Sequence, residues 1–256
     1  MPMKSRYILS LSVLVVLLAA LTYAVQVQLI PAAIDGELSE LVLATRHPAD
    51  DWVVVLVTLL GDGIALTLIG AAVTVALAFR SAWWPAVTTG LVFITTPFVV
   101  KAIKLLVGRE RPNADLYSGV ESFSFPSGHM TNSMVIYGTL AMLAAYALEG
   151  WWRRAALAGF VTLIVSIGAS RVYLGAHWPS DVIAAMLLAT IMLCVVHSSL
   201  ARQAGDLSLR RAFVLVFLFT LAVWAVYGFL TLEVALDIYK IDVDPEGTID
   251  IEPPEQ

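Results

Sequence analysis

Residues 155–197 read AALAGFVTLIVSIGASRVYLGAHWPSDVIAAMLLATIMLCVVH, two apolar runs joined by a polar segment. A bilayer core of about 30 Å needs about 20 apolar residues per helix, and both runs come close to that length. The segment between them contains Arg171, His177 and Asp181, side chains that are costly near lipid and usually serve a function there. This stretch predicts two membrane-spanning helices with a polar site where they meet.

The composition of the whole chain agrees with a membrane protein. Of 256 residues, 59% are hydrophobic and 14% are charged, with a mean hydropathy of +0.85. Soluble domains carry about a quarter charged residues. A disordered chain, a nucleic-acid binder with a basic surface and an ordinary cytosolic enzyme are therefore excluded.

The apolar runs predict an all-α integral membrane protein, a bundle of six to seven transmembrane helices in one domain over residues 1–236. A short interfacial helix is predicted after Asp35, and the acidic tail at 237–256 is expected to form a small hairpin or to be disordered. The seven predicted spans are Tyr7 to Ile30, Trp52 to Phe79, Trp83 to Ile103, Thr131 to Leu148, Ala155 to Tyr173, Val182 to His197 and Phe213 to Leu232.

Basic residues predict the orientation of the bundle. Eight Lys and Arg residues fall on the side of the N-terminus, against four on the other side once Lys104, Arg111 and Arg171 are set aside. Because Lys and Arg are enriched in cytoplasmic loops, the N-terminus is expected in the cytoplasm of a cell whose inner membrane holds the protein. The first run is interpreted as a retained signal anchor.

Three polar segments interrupt the apolar pattern, at residues 104–112, 126–129 and 170–181. Two membrane crossings separate the second segment from the third, so all three are expected at the same membrane face. Given the predicted orientation, that face is the periplasmic or exterior side. The site is therefore predicted to face the exterior.

The residues collected at that face suit a phosphate group. Lys104, Arg111 and Arg171 supply three cations. A guanidinium group can donate hydrogen bonds to two oxygens of one phosphate at the same time. Ser127 and Gly128 precede a predicted helix, whose N-terminal amides also favour an anion. These five residues form a predicted phosphate-binding cradle.

Two histidines and one carboxylate accompany the cradle. Asp181 lies four residues after His177, with Pro179 in the first helical turn between them, so its side chain can reach back to the imidazole. We expect Asp181 to fix the tautomer of His177 and to favour its charged form. His129 is the second titratable group. Since no group of side chains has metal-ligand spacing, the sequence predicts phosphoryl transfer without a metal or other cofactor.

The three motifs together resemble the type 2 phosphatidic acid phosphatases, integral-membrane lipid phosphatases related to vanadium haloperoxidases and glucose-6-phosphatase. Lys104 with Arg111-Pro112, Pro126 to His129, and Ser170-Arg171 with His177 and Asp181 match the family pattern at every defining position. The resemblance covers roughly residues 35 to 200 in layout. The family usually has six spans, so the run at 213–232 would be an additional one.

The resemblance implies a role for each motif residue. His177 would attack phosphorus to form a phosphohistidine, Asp181 would orient His177, and His129 would protonate the leaving lipid oxygen. The remaining motif residues would hold the phosphoryl group: Lys104, Arg111, Ser127, Gly128 and Arg171.

Several polar residues outside these motifs have two interpretations. Lys101 and Arg109 are expected to be snorkelling anchors, with auxiliary phosphate contact as the alternative. Asp62, near the middle of the second span, is expected to make a structural hydrogen bond or to lie on a substrate path. His47 is interpreted as solvated, His197 as interfacial and Cys194 as a packing residue. Tyr173 and Trp178 are interpreted as aromatic residues of the membrane interface, and lining an acyl-chain entrance is the alternative for both.

The expected function is hydrolysis of a membrane lipid phosphate or diphosphate. Undecaprenyl diphosphate is the first candidate substrate, followed by phosphatidylglycerophosphate and phosphatidic acid. A lipid-to-lipid phosphotransferase is the main alternative, and a transporter is a distant one because the charges cluster at one surface. The partners predicted are the lipid substrate and the bilayer, with no nucleic acid and no obligate protein partner.

Overall fold

The computed structural model describes residues 3–29, 33–47, 49, 51–112, 122–203 and 207–239. In this part of the chain the secondary structure is helical, with no strand. The α-helices are α1 (Met3–Gln26), α2 (Leu38–Ala44), α3 (Asp51–Leu59), α4 (Gly63–Phe79), α5 (Trp83–Val107), α6 (Gly128–Ala147), α7 (Gly150–Tyr173), α8 (Pro179–Leu200) and α9 (Leu207–Ile238).

Six helical segments in the described residues are long and apolar enough to cross a membrane: α1, α3 with α4, α5, α7, α8 and α9. The remaining predicted span, Thr131 to Leu148, corresponds to α6, which is more polar because it packs inside the bundle against α7, α8 and α9. Its buried hydroxyls at Thr131 and Thr139 donate to backbone carbonyls one turn earlier, so they cost little in the interior. The all-α membrane bundle is confirmed.

The second predicted span is broken, which the apolar pattern did not indicate. Helix α3 ends at Leu59 and α4 begins at Gly63, with Asp62 capping α4 by accepting a hydrogen bond from the amide of Ile64 at 2.9 Å. Asp62 also accepts a hydrogen bond from the Tyr227 hydroxyl of α9 at 2.6 Å. Asp62 therefore has the structural role that was one of its two interpretations, with a side chain of α9 as its partner.

The break also frees a backbone carbonyl at Leu60. The Tyr137 hydroxyl of α6 donates a hydrogen bond to this carbonyl, and Trp224 of α9 donates to the same hydroxyl at 3.0 Å. In lipid, a backbone group without a partner costs several kcal/mol, so an interrupted helix is tolerated only where neighbours supply partners. Helices α6 and α9 supply them here.

Gly61 allows the broken helix to approach the bundle. A Cβ atom there would lie 2.8 Å from Ile167 Cγ2 and 2.8 Å from Ser133 Oγ, whereas a Cβ at Gly63 would meet no atom within 4 Å. We expect Gly61→Ala to destabilise the protein by about 1–3 kcal/mol through overpacking, and Gly63→Ala to cost nothing. Thermal unfolding of both variants in detergent tests this, and equal midpoints would contradict it.

The C-terminal ends of α1, α5, α7 and α9 lie at the same end of the bundle, where the three polar segments also lie. The Gln26 side chain at the end of α1 donates to the carbonyl of Leu106 near the end of α5, at 3.2 Å. Tyr239, directly after α9, reaches Arg171 at the end of α7. We call this the polar end of the bundle. It lies opposite the N-terminal end of α1.

Helix α9 extends past the predicted boundary at Leu232 to Ile238. The predicted hairpin of the acidic tail falls on residues 240–256, outside the described residues.

Candidate active site

A cavity of about 240 Å³ opens at the polar end, between the α3–α4 break, α5, α6 and the loop joining α7 to α8. The structure therefore brings the three polar segments together, as counting membrane crossings predicted. The motif residues that line the cavity are Lys104, Arg111, Gly128, His129, Arg171 and His177.

Two of the three predicted cations are held by backbone carbonyls. Lys104, in the last turn of α5, donates from Nζ to the carbonyl of Phe123 at 2.7 Å. Arg111 donates to the carbonyl of Ala176, beside His177. Both side chains are buried, at 2% and 6% exposure for the residues. These carbonyl partners hold the two cations in place at the cavity.

The third cation, Arg171, is fully buried at the end of α7. It donates to the Thr58 hydroxyl of α3 at 2.9 Å and to the Tyr239 hydroxyl at 2.8 Å. Sequence reasoning missed Thr58 and Tyr239, because both follow apolar runs and belong to no motif. The position of Arg171 thus depends partly on the residue that follows α9.

The start of α6 lies at the predicted phosphate-binding cradle, where Gly128 and His129 line the cavity. Ser127 is the N-cap, with its hydroxyl accepting from the amide of Met130 at 3.4 Å, and Gly128 is the first helical residue. The amide of Ser127 donates to the carbonyl of Asp181 at 3.2 Å, which joins the starts of α6 and α8. The predicted helix N-terminus beside the cations is therefore present, with its positive end at the cavity.

The hydrogen bonds around His177 assign its tautomer. Arg111 lies 3.2 Å from Nε2, and a guanidinium group can only donate, so Nε2 is the unprotonated nitrogen. The proton of the neutral ring is then on Nδ1, which lies 3.4 Å from Oδ2 of Asp181. Asp181 lies beside His177, as the four-residue spacing predicts, but at 3.4 Å its carboxylate makes no hydrogen bond to Nδ1 in the described residues.

The expectation that Asp181 favours charged His177 is wrong. Burial lowers the pKa of His177 well below its usual range, and the positive charges of Arg111, Arg171 and Lys104 lower it further. No contribution from Asp181 offsets these effects. The imidazole is therefore neutral at pH 7, with a lone pair on Nε2.

Arg109 is neither a snorkelling anchor nor a phosphate contact. Its guanidinium lies 2.7 Å from Asp181 and 2.6 Å from Asp35, whose carboxylate also accepts from the amide of Ser180 at 3.0 Å. Asp181 and Asp35 are almost fully buried, so Arg109 is placed between two carboxylates that need a cation. Sequence reasoning missed Asp35, whose only signal was its place before the short helix.

The aromatic residues beside the site are held by polar contacts. Trp178 donates to the carbonyl of Glu110 at 2.9 Å, and the Arg109 guanidinium lies 5.3 Å from the centroid of its ring. The Tyr173 hydroxyl accepts from the amide of His47, whose side chain is exposed, at 3.1 Å. These contacts give both aromatic residues a structural role at the polar end.

Two further polar residues line the cavity, Lys101 of α5 and Asn132 of α6. Each lies three residues from a motif residue, Lys104 and His129 respectively. Among the described residues, no group of three or more His, Cys, Asp and Glu side chains is placed to hold a metal ion.

Comparison with known proteins agrees with this geometry. Residues 85–204 match the PAP2 superfamily, a range that ends before α9. The chain is 27% identical over 164 residues to phosphatidylglycerophosphatase B of Bacillus subtilis (strain 168), covering 63% of this chain and 81% of that protein. It is 36% identical over 107 residues to lipid A 1-phosphatase of Rhizobium johnstonii (strain DSM 114642 / LMG 32736 / 3841), covering 37% of this chain and 40% of that relative.

A solved structure shares the fold as well. The crystal structure of the first transmembrane PAP2 type phosphatidylglycerolphosphate phosphatase from Bacillus subtilis matches with a TM-score of 0.63 and 25% identity, over 73% of this chain and 96% of that one. The motifs, their assembly around one cavity and these similarities all agree. In sequence over residues 85–204 and in fold, the chain therefore resembles the phosphatases of the PAP2 superfamily, and it is built as a multi-pass helical membrane protein.

Proposed function

We propose that the protein hydrolyses a membrane lipid phosphate or diphosphate, without a metal ion, through a phosphohistidine intermediate at His177. The observation that carries this proposal is the position of His177, whose Nε2 lies 3.2 Å from Arg111 in a cavity lined by three buried cations. A nucleophile held beside a preformed anion site is what phosphoryl transfer requires.

In the first step, the lone pair of Nε2 forms a bond to phosphorus and the bond from phosphorus to the leaving oxygen breaks. His129, at the start of α6, would give a proton to that oxygen. Burial and the positive charges of Arg171, Arg111 and Lys104 lower the pKa of His129 in the free enzyme, so the anionic phosphate must be bound before His129 takes up this proton. Arg111 donates toward Nε2 in the free enzyme, so the incoming phosphoryl group must draw this guanidinium onto its own oxygens. Binding of substrate thereby frees the nucleophile.

In the second step, water attacks phosphorus and the nitrogen–phosphorus bond breaks, while His129 recovers the proton that the water loses. Nδ1 of His177 keeps its proton throughout, and Asp181 stabilises the positive charge that the ring carries while phosphorylated. Lys104, Arg111 and Arg171 balance the charge on the phosphoryl oxygens, and Gly128 adds its backbone amide at the start of α6.

The proposed site faces the exterior of the inner membrane. The polar end lies opposite the N-terminal end of α1, and the distribution of Lys and Arg favours a cytoplasmic N-terminus. A lipid tail would remain in the bilayer while its phosphate enters the cavity. Undecaprenyl diphosphate, phosphatidylglycerophosphate and phosphatidic acid are the proposed substrates.

Phosphate release by the purified chain in detergent with EDTA tests the function. We expect release from at least one of the three lipids, and inhibition by vanadate that is competitive with substrate, because vanadate mimics five-coordinate phosphorus. An absolute requirement for Mg²⁺ would overturn the metal-free mechanism. Folded protein that releases no phosphate would overturn hydrolysis in favour of transfer to an acceptor lipid.

The transporter alternative has a specific counter-argument. A broken helix is present, as in many transporters, but its carboxylate caps α4 and bonds Tyr227. The cations lie at one end of the bundle around a single cavity. These features, together with the match to a phosphatase family, favour an enzyme.

A further inference from the structure

The cavity continues below the motif residues toward the middle of the bundle. On α5 its lining runs from Lys104 back to Pro97, about 10 Å along the helix axis at 1.5 Å per residue. Helix α5 runs toward the polar end and α6 runs away from it, so Lys101 and Asn132 are each one turn deeper than Lys104 and His129. They form a second polar level about 4.5 Å below the phosphate-binding cradle.

Lys101 is unusual at this depth. It has no hydrogen bond or ion pair with any residue that the structure describes, and Asn132 likewise has no recorded hydrogen bond there. Lys101 is an exposed residue six positions before the end of α5 at Val107, and an ammonium group at this depth is costly without an anion or water. The carboxylate of nearby Asp62 is engaged by Ile64 and Tyr227. The deeper level therefore offers a positive charge and an amide to whatever enters the cavity.

Given the function proposed above, the deeper level receives the part of the substrate next to the leaving oxygen. In a lipid diphosphate that part is the inner phosphate, which is anionic. In phosphatidic acid it is an uncharged glycerol ester, which would leave Lys101 without a partner. In phosphatidylglycerophosphate the second phosphate is separated from the leaving oxygen by the carbons of glycerol.

We propose that Lys101 and Asn132 bind the inner phosphate of a lipid diphosphate and give this phosphatase a preference for diphosphates over monophosphates. Lys101 supplies the charge and Asn132 donates from its amide. During the first step, the leaving oxygen takes the proton of His129 and the inner phosphate stays bound to Lys101. The cleaved product is then a lipid monophosphate, which must be consumed or recycled by another reaction.

Steady-state kinetics of Lys101→Met test this proposal with farnesyl diphosphate, phosphatidic acid and phosphatidylglycerophosphate in detergent micelles. We expect kcat/KM to fall about 10-fold or more for the diphosphate, as for loss of a charged hydrogen bond, and less than about 3-fold for the other two. Lys101→Arg should restore most of the diphosphate activity. Arg153→Met, an exposed cation at the opposite end of α7, is the matched control.

Equal losses of kcat/KM on all three substrates would overturn the proposal. No loss of kcat/KM on any substrate would also overturn it, and Lys101 would then be a snorkelling anchor. A loss on phosphatidylglycerophosphate as large as that on the diphosphate would also overturn it. Binding is measured separately, as the thermal shift caused by farnesyl methylenediphosphonate relative to farnesyl phosphonate. This measurement needs no turnover, so it applies whether or not the enzyme hydrolyses lipids. A larger thermal shift with the diphosphonate, lost in Lys101→Met, supports the proposal. A wild-type protein without this larger shift would overturn it.

Discussion

His177→Ala is expected to lower kcat by about 10⁴-fold or more, an effect of the size seen when a catalytic nucleophile is removed. Alanine has no atom to form the bond to phosphorus, and water would have to attack an unactivated ester. The fold should survive, because His177 lines a polar cavity and its ring lies beside the polar groups of Arg111 and Asp181. Phosphate release normalised to folded protein measures the effect.

His47→Ala is the matched control, since this histidine is exposed in the loop before α3 and lies outside the cavity. Its rate should equal that of the wild type. The thermal midpoint of His177→Ala should stay within about 3 °C of the wild type, equivalent to about 1 kcal/mol. A rate for His177→Ala within tenfold of the wild type would refute the nucleophile assignment.

Much of the fold followed from the sequence because lipid imposes one simple rule. A membrane helix must satisfy its own backbone and present an apolar surface, so each long apolar run predicts a helix. The rule does not cover residues whose partners come from other helices. The break at Asp62 was missed for that reason: it depends on Tyr137, 77 positions from its partner Leu60, and on Tyr227, 165 positions from Asp62.

The motif residues of the site were predictable because counting crossings places them at one face. What the spacing could not show is which charges pair. Arg109 and Arg111 are two residues apart, yet the first lies between Asp35 and Asp181 while the second contacts His177. The charge state of His177 could not be predicted either, since burial and cations from two polar segments lower its pKa.

Arg109→Met is expected to destabilise the protein by about 3–5 kcal/mol, because it leaves two buried carboxylates without their shared cation. The side chains of Asp35 and Asp181 are 4% and 0% exposed, and both lie within 2.7 Å of the guanidinium. The change should also lower kcat by about 100-fold, since Asp181 would lose the contact that holds it against His177. KM should stay near the wild-type value because Arg109 touches no part of the cavity lining.

A double variant separates positioning from stability. Asp35→Asn removes one of the two orphaned charges, so Arg109→Met/Asp35→Asn should regain about half of the lost stability while kcat remains low. If Arg109 served the fold alone, kcat per folded molecule would equal the wild-type value in both variants. An unchanged thermal midpoint in Arg109→Met would instead show that the two ion pairs do not form. Because Arg109 reaches the nucleophile only through Asp181, its loss should slow turnover without weakening the binding of substrate.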